Sequence, residues 1–328
     1  VCSMQKGNHG IKKILLLSFS GFMLIAIIAY AVTPIPTLFR YIANAERSVA
    51  GLELKQIQVG ELDIEYLRGG TGPPLVLLHG FGADKDNWVR ISGDLVSNFD
   101  VIAIDLPGFG NSTQNIALDY DVLSQVKRVK RITEALNLTE FNLAGSSMGG
   151  YIAGNFAAQY PNTVEHLWLV SPFGVEGSEV SEMFAATKKG LNPMVLPRTE
   201  AEFMDLLDFL FVEPPFIPSP IVRHLAGKAK ERVEINTKIF EQIHRMKNGE
   251  PHPDLPLDSV LENYSGSVLI TWGEQDRVLH VSGASVLKQV IPHAQLDIAP
   301  NVGHLPMVET PSETAQSFLS FATSTYTN

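Results

Sequence analysis

Read as a pattern of apolar and polar positions, the chain alternates between short apolar runs and longer stretches of helical period. Leu54 to Val59 and Leu62 to Leu67 read as two strands joined by Gly60-Glu61. The second alternates Leu62, Ile64 and Tyr66 with Asp63 and Glu65, as a hairpin at a sheet edge does. Leu75 to Leu78, Val101 to Ile104, Phe141 to Ala144, Leu167 to Val170 and Val268 to Trp272 are apolar or nearly so throughout. Such runs suit strands covered on both faces, as in a parallel sheet. An eighth strand is read at Gln295 to Ala299. Helices are expected at about Asn87 to Val96, Val122 to Leu136, Tyr151 to Ala158, Ser282 to Ile291 and Pro311 to Ala322. Strand–helix alternation of this kind predicts an α/β fold, an eight-stranded and mostly parallel sheet with helices on both faces. Ligands of such sheets bind at the carboxyl ends of the strands.

The alternation stops after Ser171-Pro172-Phe173-Gly174. From Val175 to about Ser265 the pattern is helical with no clear strand, punctuated by Pro214-Pro215 and Pro218-Ser219-Pro220. This predicts a helical cap, 175–265, inserted after the sixth strand into a domain made of 51–174 and 266–328. The cap is dense in Met and Phe, among them Met183, Phe184, Met194, Phe203, Met204 and Phe209. Most of these side chains are expected to form its own core. The rest suit the lining of a funnel for a flexible apolar chain.

At the other end of the chain, Lys12-Lys13 precede an apolar run from Ile14 to Val32 that ends at Pro34 and Pro36. At 1.5 Å per residue the run is about 28 Å long, enough for a hydrocarbon core of ~30 Å. Two readings compete for it: a retained single-pass membrane anchor, and a secretory signal peptide cleaved near Ala31, after Ala29-Tyr30-Ala31. Lys6, Lys12 and Lys13 before the run against Arg40 and Arg47 after it favour an outer, periplasmic-side placement of the main domain. Ile35 to Val49 carries Leu38, Phe39, Ile42 and Val49 beside the two arginines, the pattern of an amphipathic helix lying along a membrane surface or of a solvated linker helix. Residues 1–50 are thus read as anchor and linker.

Composition narrows the function. The chain has 328 residues, 45% of them hydrophobic and 18% charged, which is ample for a large core. A net charge of −10 argues against nucleic-acid binding. With a single cysteine, Cys2, no disulfide can form within the chain. No Cys-x-x-Cys or His-Glu-x-x-His spacing occurs, so neither a structural metal nor a cofactor is expected. Nothing in the chain calls for an obligatory protein partner.

The chemistry centres on Gly145-Ser146-Ser147-Met148-Gly149-Gly150, a G-x-S-x-G run between a strand and a helix. There a tight turn would raise the Ser147 hydroxyl above the sheet at a helix N-terminus. A serine hydroxyl needs a base, and the imidazolium that forms needs an anion to fix its tautomer. His304, in Val302-Gly303-His304 after the last strand, is the candidate base. Asp276, in Gly273-Glu274-Gln275-Asp276, is the candidate acid, with Glu176 after the sixth strand as its competitor. The order Ser, acid, His is the one such sheets require. The backbone N–H groups of Met148 and Phe81 are the candidate oxyanion donors. His79 abuts that loop as a candidate hydrogen-bonding brace.

The stretch Leu77-Leu78-His79-Gly80-Phe81-Gly82-Ala83-Asp84-Lys85-Asp86-Asn87-Trp88, the elbow at Gly145 to Gly150, Trp272 to Leu279, and Asn301-Val302-Gly303-His304 together resemble the α/β-hydrolase superfamily. More narrowly the chain resembles the single-pass, membrane-anchored monoacylglycerol lipases of the α/β-hydrolase-domain group and related bacterial lipases. The resemblance implies a serine carboxylester hydrolase acting on a lipid ester, an acylglycerol, through an acyl-enzyme intermediate. A carbon–carbon bond hydrolase of the ring-cleavage-product type, a broad short-chain esterase and a non-catalytic scaffold are the competing expectations. Ser147 speaks against dehalogenases and epoxide hydrolases, whose nucleophile is an aspartate.

Overall fold

The computed structural model describes residues 34–247 and 250–324. The apolar run Ile14 to Val32 lies outside the described residues, and among these no helix is long and apolar enough to cross a membrane. The chain divides into two units, Val1–Asn44 and Ala45–Asn328. The boundary falls within helix α1 (Ile35–Val49), which covers the expected amphipathic stretch.

The second unit is built on an eight-stranded sheet. Its first members are β1 (Glu53–Val59), β2 (Leu62–Gly69), β3 (Pro74–Leu78), β4 (Asp100–Ile104), β5 (Phe141–Ser146) and β6 (Val164–Val170). After a long excursion come β9 (Ser267–Gly273) and β10 (Gln295–Ala299). The spatial order is β1-β2-β4-β3-β5-β6-β9-β10. β2 pairs antiparallel with both β1 and β4, while the remaining pairs are parallel, so β2 alone runs against the other seven.

The unbroken apolar runs have a simple cause. Along β3, Leu75 and Leu77 pack into the core on one face, while Val76 and Leu78 pack into the core on the other. Helices cover both sides. α2 (Val89–Leu95) and α12 (Pro311–Ser324) supply Ile91, Leu95, Phe318 and Phe321 to one core. α3 (Val122–Ala135) and α4 (Met148–Gln159) supply Val126, Val129, Ile152 and Phe156 to the other. On the first face the Trp168 ring stacks on Phe318 at 4.6 Å, and its indole N–H donates to Thr271 Oγ1 at 2.9 Å.

From β3 the chain passes to β4 on one side and then crosses to β5 on the other. That reversal opens a crevice outside the carboxyl ends of β3 and β5, the place where open α/β sheets bind ligands. Both the 79–82 loop and Ser147 leave the sheet there.

Between β6 and β9 the chain forms α5 (Glu182–Lys188), α6 (Glu200–Leu210), α7 (Ser219–Glu231), α8 (Val233–Ile243) and the short α9 (Leu257–Val260). The expectation of an excursion without strands is corrected here. Arg245–Lys247 (β7) and Glu250–His252 (β8) form a separate antiparallel pair in which Arg245 faces His252. Three-residue strands are too short to show a period of two against a helical background. The remaining helices are α10 (Ser282–Val290), behind β9, and α11 (Pro306–Glu309), just after the His304 loop.

Candidate active site

Ser147 stands between β5 and α4 with φ 54° and ψ −118°. A non-glycine residue pays on the order of 1–3 kcal/mol for such a conformation, so the surroundings must hold it. Three backbone hydrogen bonds do so: Ser147 N–H donates to Val170 O, and Ser147 O accepts from Tyr151 N–H and Phe173 N–H, each at 3.0 Å. Close approach accounts for the flanking glycines. A Cβ on Gly145 would run into Gly149 O, and one on Gly149 would come within 2.5 Å of His79 O. The start of α4 thus rides directly over the ends of β3 and β5.

The 79–82 loop lies against the serine: a Cβ on Gly80 would be 3.2 Å from Ser147 Cβ and 3.8 Å from its Oγ. Among the described residues neither Phe81 N–H nor Met148 N–H has a hydrogen-bond partner. Met148 opens the helix, where unpaired donors are intrinsic. His79 braces the loop from beneath. Its Nδ1–H donates to Gly80 O at 2.7 Å, and its Nε2 accepts from Leu106 N–H at 3.0 Å. Accepting at Nε2 requires the neutral ring, and burial pushes its pKa down to about 4.

Behind the same loop lies an ion cluster that motif reading did not single out. Lys85, only 1% exposed, places its Nζ 2.8 Å from Glu65 Oε1 and 2.9 Å from Asp105 Oδ2. Asp105 also accepts from the backbone N–H groups of Lys85 and Asn111, both at 2.8 Å. Burial raises the Asp105 pKa, against the pull of Lys85. Burial opposes charge on Lys85 as well, yet Asp105, Asp84 and Glu65 raise its pKa overall. The cluster ties the loops after β3 and β4 to β2.

Asp276 and His304 meet at the other side of the crevice. His304 Nδ1–H donates to Asp276 Oδ2 at 2.8 Å, and both side chains are buried. The carboxylate has three further donors: Val278 N–H at 2.8 Å and Leu279 N–H at 2.9 Å on Oδ1, and the Trp272 indole at 3.1 Å on Oδ2. Four donors on one anion hold it rigidly, and they leave His304 Nε2 as the ring's lone-pair nitrogen. Glu176, the competing acid, is exposed, with Oε1 3.3 Å from His252 Nδ1. No hydrogen bond links the Ser147 hydroxyl to His304 among the described residues. In ligand-free sites such bonds are often long and tighten only around substrate.

Aromatic rings wall the crevice. The Phe81 ring lies edge-on to Phe109 at 5.6 Å and to Phe240 at 5.8 Å. His244 is buried among these rings, 4.2 Å from both Phe173 and Phe240. Its position after a helix offered no motif by which to find it. A cavity of about 140 Å³ is lined by Pro172, Phe173, Phe184, Trp272, Leu279 and His280 among others, with neither Ser147 nor His304 in its wall. Among the described residues no group of three or more His, Cys, Asp or Glu side chains could hold a metal.

Comparison with known proteins agrees with this architecture. Lipase 3 of Moraxella sp. (strain TA144) is 33% identical over 284 residues, 85% of this chain and 88% of its own. The monoacylglycerol lipase ABHD6 of Mus musculus is 31% identical over 271 residues, 79% of this chain and 78% of its own. Among solved structures, a membrane phospholipase A described as a bacterial virulence factor is 37% identical and superposes with a TM-score of 0.86, covering 96% of this chain and all of its own. Residues 73–311, from the start of β3 to beyond the His304 loop, match the family model for the alpha/beta hydrolase fold, and the chain belongs to that family.

Proposed function

We propose that the protein is a serine carboxylester hydrolase acting on lipid esters, with monoacylglycerols as preferred substrates. In this reading Ser147 Oγ attacks the ester carbonyl while His304 Nε2 takes its proton. Asp276 holds the imidazole in the required tautomer and balances the imidazolium. Phe81 N–H and Met148 N–H receive the oxyanion, each such donor contributing about 3–4 kcal/mol. Collapse of the tetrahedral intermediate breaks the carbon–oxygen bond of the ester, and His304 returns the proton to the departing alcohol. Water, deprotonated by His304, then attacks the acyl-serine, and His304 returns that proton to Ser147 Oγ as the fatty acid leaves.

The observation that carries the reading is the 2.8 Å bond between His304 and a carboxylate already held by three other donors, opposite two unspent N–H groups beside Ser147. The lipid class is supported by the aromatic wall and by relatives named as lipases over most of their length. One observation favours a second substrate: the membrane phospholipase A at 37% identity makes diacyl phospholipids the alternative to monoacylglycerols.

Residues 175–265 act in this reading as a cap over a catalytic domain of 51–174 and 266–328. Ile14 to Val32 serves as a single-pass anchor with the catalytic domain on the outer side. Cleavage near Ala31 to give a secreted form is the alternative. Fractionation with an alkaline wash separates these: an anchored protein stays with the membrane, a processed one is released.

The decisive experiment is hydrolysis of mono-, di- and triacylglycerols and of a phospholipid by purified protein, with Ser147→Ala as control. The variant should lose on the order of 10⁶ in kcat. Retention of more than about a tenth of wild-type turnover refutes the assignment of the nucleophile.

A further inference from the structure

Glu309 closes α11, five positions beyond His304, and neither its spacing nor its neighbours mark it as part of a site. Its carboxylate accepts three hydrogen bonds, all from backbone N–H groups on two distant segments. Oε1 takes Gly303 N–H at 2.6 Å, immediately before His304. Oε2 takes Val212 N–H at 2.8 Å and Glu213 N–H at 3.1 Å, just beyond the end of α6. Beside it His304 N–H donates to Leu210 O at 2.8 Å. The two segments touch backbone to backbone, because a Cβ on Gly303 would lie 2.5 Å from Leu210 O and 3.1 Å from Phe211 Cα. Four hydrogen bonds therefore stitch the loop carrying His304 to residues 210–213, and one carboxylate supplies the acceptors for three of them.

We propose that Glu309 is a positioning residue: it locks the loop bearing the base onto the cap segment 210–213, so that the placement of His304 depends on the placement of the cap. The inference rests on the proposed roles of His304 and of 175–265. An ionised carboxylate is an acceptor at both oxygens. That is the property needed here, since the groups both segments turn toward Glu309 are N–H donors. The amide of Gln has one acceptor oxygen, and its NH₂ group would face an N–H on the other side. Glu309→Gln is nearly isosteric and can serve either the base loop or the cap segment, not both.

The test uses the full chain and reads three quantities. In Glu309→Gln, deuterium uptake should rise in peptides covering 303–304 and in those covering 210–213, with a thermal midpoint showing that the protein is folded. Turnover of a soluble ester should fall by roughly ten- to a hundred-fold in kcat with KM changed less than three-fold, as misplacement of a positioned base predicts. Phosphonylation of Ser147 should slow by a similar factor. A kcat within two-fold of wild type, a loss confined to KM, or faster exchange in one segment only overturns the proposal.

Should Glu309→Gln fail to fold, Val212→Pro removes one cap-side donor and leaves both the carboxylate and the base loop chemically intact. It should raise exchange at Gly303 and lower kcat several-fold, and unchanged exchange at Gly303 overturns the proposal. His304→Ala separates the two levels of inference. If it stays active, the role of the base is wrong. If it is inactive while Glu309→Gln is unimpaired, only the positioning role fails.

Discussion

Replacing His244 by phenylalanine should make the protein more resistant to acid while changing little at neutral pH. His244 follows α8, with ring centroids 4.2 Å from Phe173 and Phe240, 6.0 Å from Phe184 and 6.3 Å from Phe81. Its Nδ1–H donates to Phe240 O at 3.1 Å, and burial pushes its pKa from 6.5 down to about 4. The folded value is depressed, so between these two pH values the unfolded chain binds a proton that the folded chain refuses. The stability tied to this ring is therefore complete above pH 6.5 and is lost as the pH falls toward 4. Integrated from pH 7 to pH 4.5, the loss is about 2 kcal/mol for this one histidine. His79 has the same sign and a similar depression, so the two together make acid a serious challenge to a domain of ordinary stability. Phenylalanine suits a cage already made of phenylalanines, and Phe240 O keeps the backbone N–H of residue 244 as a donor at 2.8 Å. Urea unfolding of the purified protein at intervals between pH 7 and pH 4.5 checks the difference between variant and wild type, which cancels all other titrating groups. The stability gap should move in favour of Phe by about 2 kcal/mol over that range. Parallel decline of the two proteins refutes the assignment of acid sensitivity to this ring.

Two further outcomes follow from the hydrogen-bond network. Trp272→Phe removes the indole donor to Asp276 Oδ2, a bond to a charged group worth about 1.5–3 kcal/mol, and should lower kcat roughly ten-fold or more with KM little changed, measured on a soluble ester. Lys85→Met leaves Glu65 and Asp105 as a buried pair of uncompensated anions. It should cost about 3–5 kcal/mol of stability, read as a lower denaturation midpoint, and unchanged stability would show the cluster to be dispensable.

The parts of this molecule that were legible in the sequence are those whose determinants sit close together in the chain. Leu75 to Leu78 reads as a buried strand because both of its faces meet core, which leaves no polar position to obscure it. The elbow is legible because a helix start packed over two strand ends excludes a Cβ at Gly145 and Gly149, and that requirement is written within six residues. Loops that carry Asp276 and His304 could be located for a related reason. Each follows a recognisable strand, and chemistry in such sheets gathers at strand ends. The sequence favoured Asp276 over Glu176 by its place after a strand, but the physical reason for the preference was not legible. What sets the two carboxylates apart is that Trp272, Val278 and Leu279 turn three donors onto Asp276, and these converge only once β9 and the turn after it are folded.

What stayed hidden is what depends on tertiary approach. Lys85 looks like an ordinary surface lysine in Ala83-Asp84-Lys85-Asp86, yet it is buried because β2 and the loop after β4 bring Glu65 and Asp105 to its Nζ. Glu309 pairs with amides 97 and 96 positions earlier, and no local pattern distinguishes a carboxylate spent that way from one left in solvent. The same reasoning explains why the cap is poorly described by composition. Its Met and Phe content reports an apolar interior, but in the proposed reading its effect on chemistry passes through backbone groups of residues 210–213, which residues of any type could supply. In the proposed reading, function is thus divided between side chains chosen for reactivity, which leave a motif, and acceptors chosen to hold backbone in register, which leave none.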